Sequence, residues 1–202
     1  MCKLKSGIIL KDRVFIPDYN SHTDMLKELE IEDTRKNAEN IFVRAELTPK
    51  DGDIFSDLDS WHFKVDQDIL PEWFVFEYDK ERMKEEVKLW ANKHIHIDNN
   101  YLSVCTGSHY AKNSNVKAYD NSNVKAYYNS NVKAYGSSNV EAYDNSNVEA
   151  YDNSMVILSK YSQSEKKNIS LYGNAILKDC KTKIIYQCGD WKLVNVKEME
   201  AQ

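Results

Sequence analysis

Three groupings of side chains in this sequence are of types that do chemistry. Removal of Met1 would leave Cys2 as an N-terminal residue carrying a thiol and an α-amine together. The thiolate is the nucleophile, and an adjacent amine can serve as the base that makes it. Arg44 and Glu46, in Arg44-Ala45-Glu46, are the charged groups that would assist. The second grouping is His94-x-His96, with His62 and Asp98 as helpers. Imidazoles at i and i+2 on a strand face one side and can share a zinc ion. The same pair equally reads as the polar end of a helix, where a cation suits the dipole. The third is Asp66-Gln67-Asp68 near Trp73, an acidic cluster able to bind a cation or a partner, or to act as general acid and base. It equally reads as a loop leading into Pro71. No G-x-x-x-x-G-K, G-x-G-x-x-G, G-x-S-x-G or H-E-x-x-H pattern is present, and 6 glycines leave little room for a phosphate loop. The preferred reading therefore assigns no catalytic residue, no metal and no cofactor.

The elements that carry these residues fall into two modules. The chain has 202 residues, enough for one large or two small domains. All 6 Phe and all 3 Pro lie before residue 98, whereas 11 of the 13 Tyr lie after it. Residues 1–97 carry 15 Lys and Arg against 21 Asp and Glu, while residues 98–202 carry 12 against 11. Different core chemistry and different charge place a boundary near residue 97. The net charge of -5 lacks the basic surface of a nucleic-acid binder, so direct nucleic-acid binding is disfavoured. The N-terminal apolar run, Ile8 to Leu10, is too short for a signal peptide, and no run of about 18 apolar residues spans a membrane. Cys2, Cys105, Cys180 and Cys188 are scattered without a C-x-x-C pair, which suits a reducing cytoplasm.

Residues 1–97 read as an α+β head. Ile8–Leu10 and Val14–Ile16 flank Lys11-Asp12 as a hairpin would. Ser21 is placed to cap a helix running to about Glu30, with Met25 and Leu26 inward. Ile41 to Leu47 reads as a strand ended by Pro49, and Trp61 to Val65 alternates like a half-buried strand. Asp79 is placed to cap a helix to about Asn92, whose Met83, Val87 and Trp90 form one apolar stripe.

From Asn113 the chain counts in eights. The first unit is Asn113-Ser-Asn-Val-Lys-Ala-Tyr-Asp120, and four near-copies follow to Asp152, with a sixth decaying after Val156. A fixed short period signifies stacked structural units. Eight does not match the helical period of about 3.6, but alternation fits. Ser, Val and Ala occupy alternate positions and point one way, while Asn, Lys or Glu and Tyr point the other. The unit junctions, Asp-Asn or Gly-Ser, are turn residues. Each octapeptide is thus one short strand and one corner, and two make a 16-residue coil of a parallel β-solenoid covering residues 98–202. Residues 98–112 and 155–196 read as degenerate coils. Their Leu102, Val104, Ile169, Leu171, Ile176, Ile184 and Val194 supply larger residues for the ends.

A 16-residue coil sorts the outward residues onto two faces. Tyr119, Tyr135 and Tyr151 stack on one, with Lys117, Lys133 and Glu149. Tyr127 and Tyr143 stack on the other, with Lys125, Glu141 and Ile157. Identical Asn side chains in register can hydrogen-bond along the stack. Rows of Tyr suit an interface, and homodimerisation through one face is the simplest version; the alternative is a ladder that only stabilises stacking. An ice-binding surface would need rows of Thr. A DNA mimic would need dense negative charge, and residues 113–152 carry 3 Lys against 5 Asp and Glu.

Arg44-Ala45-Glu46, with Met1-Cys2, resembles the Asn-Ala-Arg-Ala-Glu segment and Met-Cys start of SRAP-type abasic-site crosslinking proteins, a resemblance that would make Cys2 catalytic. Lys3 stands where those proteins have Gly, Phe42 where they have Asn, and no later His motif is evident. Over its whole length the chain resembles uncharacterised proteins of gut Firmicutes and their phages, which join a constant head to a variable number of octapeptides. The resemblance rests on Met1 to Phe15, Asp18, Ser21-His22, Met25-Leu26, Phe42 to Leu47, Val65 to Asp68 and Pro71-x-Trp73-Phe74. It implies a mobile-element setting and a bacterial cytoplasm, and no assigned activity. The expectation is a non-enzymatic interaction protein: a head that binds a protein or ribonucleoprotein, such as a host defence complex of the CRISPR-Cas kind, and a solenoid that dimerises or spaces it. The alternatives are an enzyme using Cys2 on nucleic acid or an amide, and a structural scaffold.

Overall fold

The computed structural model describes residues 5–159 and 168–187, and the backbone of 194–195. The chain divides into two compact units, residues 1–93 and 94–202. The first is built on an antiparallel sheet of β1 (Lys5–Leu10), β2 (Val14–Phe15), β3 (Phe42–Thr48) and β4 (His62–Val65), in the order β2-β1-β3-β4. The hairpin closes where expected, with Leu10 N–H donating to Arg13 C=O at 2.8 Å. α1 (His22–Glu28) starts at Ser21, whose hydroxyl accepts from Asp24 N–H. Met25 and Leu26 of α1 pack on Ile8, Leu10 and Phe42, so α1 covers one face of the sheet. The opposite face meets α3 (Phe76–His94): a Cβ at Gly7 would collide with Ile16 Cδ1 and lie 3.2 Å from the Phe15 carbonyl oxygen and 3.3 Å from Met83 Cε, so this position in a fully buried strand has no room for a side chain. Met83, Val87 and Trp90 are all buried, as their spacing requires.

Two features of the head depart from expectation. α3 begins at Phe76, before Asp79. The Asp79 carboxylate, inside the first turn, reaches back to accept from Val75 N–H at 2.8 Å and from Arg82 at 2.6 Å, so it satisfies a helix-end donor from within the helix. A short polar helix, α2 (Arg35–Asn40), forms after Thr34, whose hydroxyl accepts from Asn37 N–H. Its composition carries no apolar stripe to announce it.

The second unit is a parallel β-solenoid with two sheets. The front sheet comprises β6 (Leu102–Val104), β8 (Asn115–Ala118), β10 (Asn131–Ala134), β12 (Asn147–Ala150) and β14 (Ile169–Leu171). The back sheet begins with β5 (Ile95–Ile97), β7 (Ser108–Lys112), β9 (Asn123–Tyr127), β11 (Asn139–Ala142), β13 (Met155–Leu158) and β15 (Ile176–Asp179). β5 already pairs with β7, so solenoid pairing starts before residue 98. In the repeats every strand pairs with the strand 16 residues on, Asn131 with Asn147 and Val132 with Val148. Val and Ala fill a thin buried core from Val104 to Leu177. Four of the buried Ser hydroxyls turn back onto corner carbonyls, Ser122 to Tyr119, Ser130 to Tyr127 and Ser146 to Tyr143 at 2.8 Å and Ser154 to Tyr151 at 2.6 Å, whereas the Ser138 hydroxyl makes no such bond.

The corners are left-handed. Asp120, Tyr128, Gly136, Asp144 and Asp152 all have φ between 50° and 65°. Asp tolerates this conformation and Gly adopts it freely. The corner Asp also caps its neighbour: Asp144 accepts from Tyr128 N–H and Asp152 from Gly136 N–H, both at 2.9 Å. The C-terminal end breaks the parallel rule. β13, β14 and β15 pair in parallel as degenerate coils, but β16 (Ile184–Gln187) runs antiparallel to β15 and β17 (Val194–Asn195) antiparallel to β16, so the parallel coils expected over 155–196 stop at Asp179. A reversed hairpin ends the ladder where another parallel coil would leave an open edge.

Candidate functional site

Antiparallel pairing brings three polar residues of the head together. Glu46 projects from the α1 face of β3, opposite Lys64 on β4. Asp66 follows β4, its N–H held by Arg44 C=O at 2.8 Å. His22, the first residue of α1, reaches the same place. Its Nδ1 lies 3.5 Å from Asp66 Oδ2, and its Nε2 lies 3.3 Å from the Ala45 carbonyl oxygen. One ligand atom from each of His22, Glu46 and Asp66 falls within 4.8 Å of the other two. Lys64 Nζ approaches Asp66 Oδ1 at 3.7 Å. Gln67 positions the loop: its side chain accepts from Arg44 N–H at 2.9 Å and donates to Ile69 C=O at 2.6 Å.

The predicted site residues of the head divide accordingly. Glu46 and Asp66 converge, joined by His22, which sequence spacing did not mark. Arg44 is committed elsewhere, paired with Asp33 and lying 5.0 Å from the Phe42 ring centroid. Asp68 is exposed on the loop, and Trp73 donates its indole N–H to Asn40 C=O at 2.8 Å. Cys2 lies outside the described residues. Lys5 is a second unmarked residue: its ammonium is buried against Trp90 and reaches the carbonyls of Pro17 and Tyr19. Burial lowers its pKa to about 8, against the opposing pull of Asp18.

His94 and His96 are not an exposed helix end. His94 is buried, and both rings stack on a third imidazole, His109 of β7, with centroids 5.4 Å apart. His109 Nε2 meets Thr106 C=O at 2.9 Å, so it carries the proton there and leaves Nδ1 to accept from His96 Nε2 at 3.2 Å. His94 Nδ1 meets Ser108 C=O at 2.8 Å. Burial and the neighbouring His109 and His94 push His96 down to about 4. Asp98 lies at a left-handed corner and accepts from Asn113, and His62 is exposed on β4. Neither joins the stack.

The solenoid faces carry the expected ladders. On the front, Tyr119, Tyr135, Tyr151 and Tyr172 stack at 5.2, 4.9 and 4.7 Å between centroids, almost parallel. On the back, Tyr127 and Tyr143 stack at 4.6 Å. Beside the front tyrosines run Asn115, Asn131 and Asn147, the Asn131 amide donating to Asn115 and the Asn147 amide to Asn131, both at 2.9 Å. Lys133 pairs with Glu149 at 2.8 Å, and Lys125 with Glu141 at 3.4 Å on the back. Tyr151 donates to Glu149 at 2.6 Å, which raises the phenol to about 12, while Lys133 and Tyr151 together hold the Glu149 carboxyl low. Tyr143 is raised by burial and by its bond to Glu141.

The architecture defines a protein with an antiparallel α/β head and a parallel β-solenoid of 16-residue coils. No protein-family profile, curated protein or solved structure matches the chain.

Proposed function

We propose that this protein is a non-enzymatic interaction protein: the front face of the solenoid joins two copies, and the acidic head engages a protein or ribonucleoprotein. The observation that carries the reading is the regular front face, with its tyrosine stack, its asparagine ladder and a central column of Lys117, Lys133 and Glu149. β10 is the middle strand of this sheet. A twofold axis lying along β10 between two facing sheets would set Tyr rows against Tyr rows and Lys117 of one copy against Glu149 of the other. The axis also sets Lys133 opposite its own copy, where the Glu149 that pairs with it at 2.8 Å in each chain offsets the like charges, and the rest of the face is complementary to itself, as a C2 interface requires. Five strands about 4.8 Å apart and roughly 16 Å long give a face of about 400 Å². Two copies then bury about 800 Å², below the standard interface size, so a weak dimer with Kd in the micromolar range or above is expected.

The setting rests on the resemblance to phage and Firmicutes proteins. It supports a bacterial cytoplasm and a host defence complex of the CRISPR-Cas kind as the head's target. An enzyme built on Cys2 gains no support from Arg44, which Asp33 and Phe42 already engage.

Sedimentation equilibrium of the full chain at about 10–300 µM tests the dimer. The wild type is expected to show a monomer–dimer equilibrium that Tyr135→Lys on the front abolishes and Tyr143→Lys on the back leaves intact. A strictly monomeric wild type, or equal effects of the two variants, refutes the proposal.

A further inference from the structure

We infer that His22, Glu46 and Asp66 form a binding site for one divalent transition-metal ion of the Zn²⁺ class. The argument begins with the His22 ring. Its Nε2 lies 3.3 Å from the Ala45 carbonyl oxygen, which can only accept, so Nε2 holds a proton. A metal-ligating imidazole commonly donates its other N–H to a backbone carbonyl, which fixes the tautomer and aims the free nitrogen. Here the aimed nitrogen is Nδ1, and it faces the Asp66 carboxylate at 3.5 Å. A proton on Nδ1 would bridge this gap as an ion pair, and a metal ion can take that proton's place, with the Nδ1 lone pair and the Asp66 carboxylate both directed at it. Among the described residues, no hydrogen bond or ion pair engages the half-buried Glu46 carboxylate, which lies in the same cluster.

The dimensions fit contraction onto an ion. Zn–N and Zn–O bonds of about 2.1 Å in a tetrahedral site set ligand atoms about 3.4 Å apart. The three atoms here lie within 4.8 Å of one another, so adjustments of an ångström or so bring them in. Lys64, with a side chain 60% exposed, is free to swing off Asp66 into solvent. One imidazole with two carboxylates suits zinc and manganese better than calcium, which takes oxygen ligands throughout. Three protein ligands leave a position open to water or to a group on a partner.

The test is a calorimetric titration of metal-stripped full-length chain with Zn²⁺, repeated with Co²⁺ and read by absorption. One ion per chain is expected, with affinity reduced about 10-fold or more by His22→Ala, Asp66→Asn and Glu46→Gln, and unchanged by His96→Gln. The partly exposed Asp66 and Glu46 allow substitution without loss of the fold, checked by circular dichroism. The Co²⁺ spectrum is expected to show ligand-field bands without a thiolate charge-transfer band. Absence of binding tighter than about 100 µM, retention of affinity in all three variants, or a thiolate band overturns the inference.

Discussion

Two serines that look identical in the repeat should respond in opposite ways to the same substitution. Ser130 and Ser138 are both fully buried at the second position of their octapeptides. The Ser130 hydroxyl donates to Tyr127 C=O at 2.8 Å and accepts from Ser114 N–H at 3.2 Å. The Ser138 hydroxyl is buried without a hydrogen-bond partner. Ser130→Ala removes a made bond and strips a buried N–H of an acceptor, at a cost of about 1–2 kcal/mol. Ser138→Ala removes a desolvated hydroxyl that returns nothing, so its effect is expected between zero and about 1 kcal/mol stabilising. The difference, about 2 kcal/mol, corresponds to roughly 8 °C or more in the melting temperature of a unit of this size. Urea denaturation followed by amide hydrogen exchange of the repeat strands reads it apart from the head, which holds Trp61, Trp73 and Trp90 and would dominate fluorescence. Equal destabilisation by both substitutions would refute the assignment of corner hydrogen bonds as the basis of coil stability.

Other consequences follow from the same geometry. Tyr128 holds the corner position at φ 55°, where its equivalents are Asp or Gly, so Tyr128→Asn should stabilise by about 1 kcal/mol in the same denaturation assay. Val132 is 1% exposed in the thin core, and Val132→Ala should cost about 2–3 kcal/mol in transfer and cavity terms, again read by urea. His96 takes its proton near pH 6.5 when unfolded but only near 4 when folded. The unfolded state therefore binds more protons between those values, so the His96 contribution to stability should be flat above pH 6.5 and fall as pH drops toward 4. The half-exposed ring reduces the full effect to roughly 1–2 kcal/mol, and His96→Gln should flatten that part of the curve in denaturation at pH 7 and 5.

The solenoid was legible because its information is local and repeated. Position parity alone sorted Val124 and Ala126 inward and Lys125 and Tyr127 outward, and the 16-residue pairing put Tyr119 on Tyr135 and Lys125 beside Glu141. Tyr172 extends the same stack, yet it lies 21 positions after Tyr151, because the chain between them breaks the period. His109 escaped for a related reason: β7 belongs to a coil whose residues no longer spell the repeat. In the head, short-range signals such as the Ser21 cap and the Met83–Val87–Trp90 stripe were readable. The His22, Glu46 and Asp66 cluster was not, since its members are more than 19 positions apart and meet only through the β3–β4 register and the placement of α1. Nor did composition show that Asp79 would cap from inside its helix, or that Arg44 would turn to Asp33.

The most direct test of self-association through the front face is oxidative cross-linking in a chain whose four cysteines are replaced by serine. Tyr135→Cys places a thiol on β10's row at the proposed twofold axis, and Tyr143→Cys places one on the back. Rapid disulfide-linked dimer from the front thiol alone, reduced by dilution, is the predicted result. Dimer formed only from the back thiol, or from neither at concentrations of about 100 µM, would contradict a front-face interface.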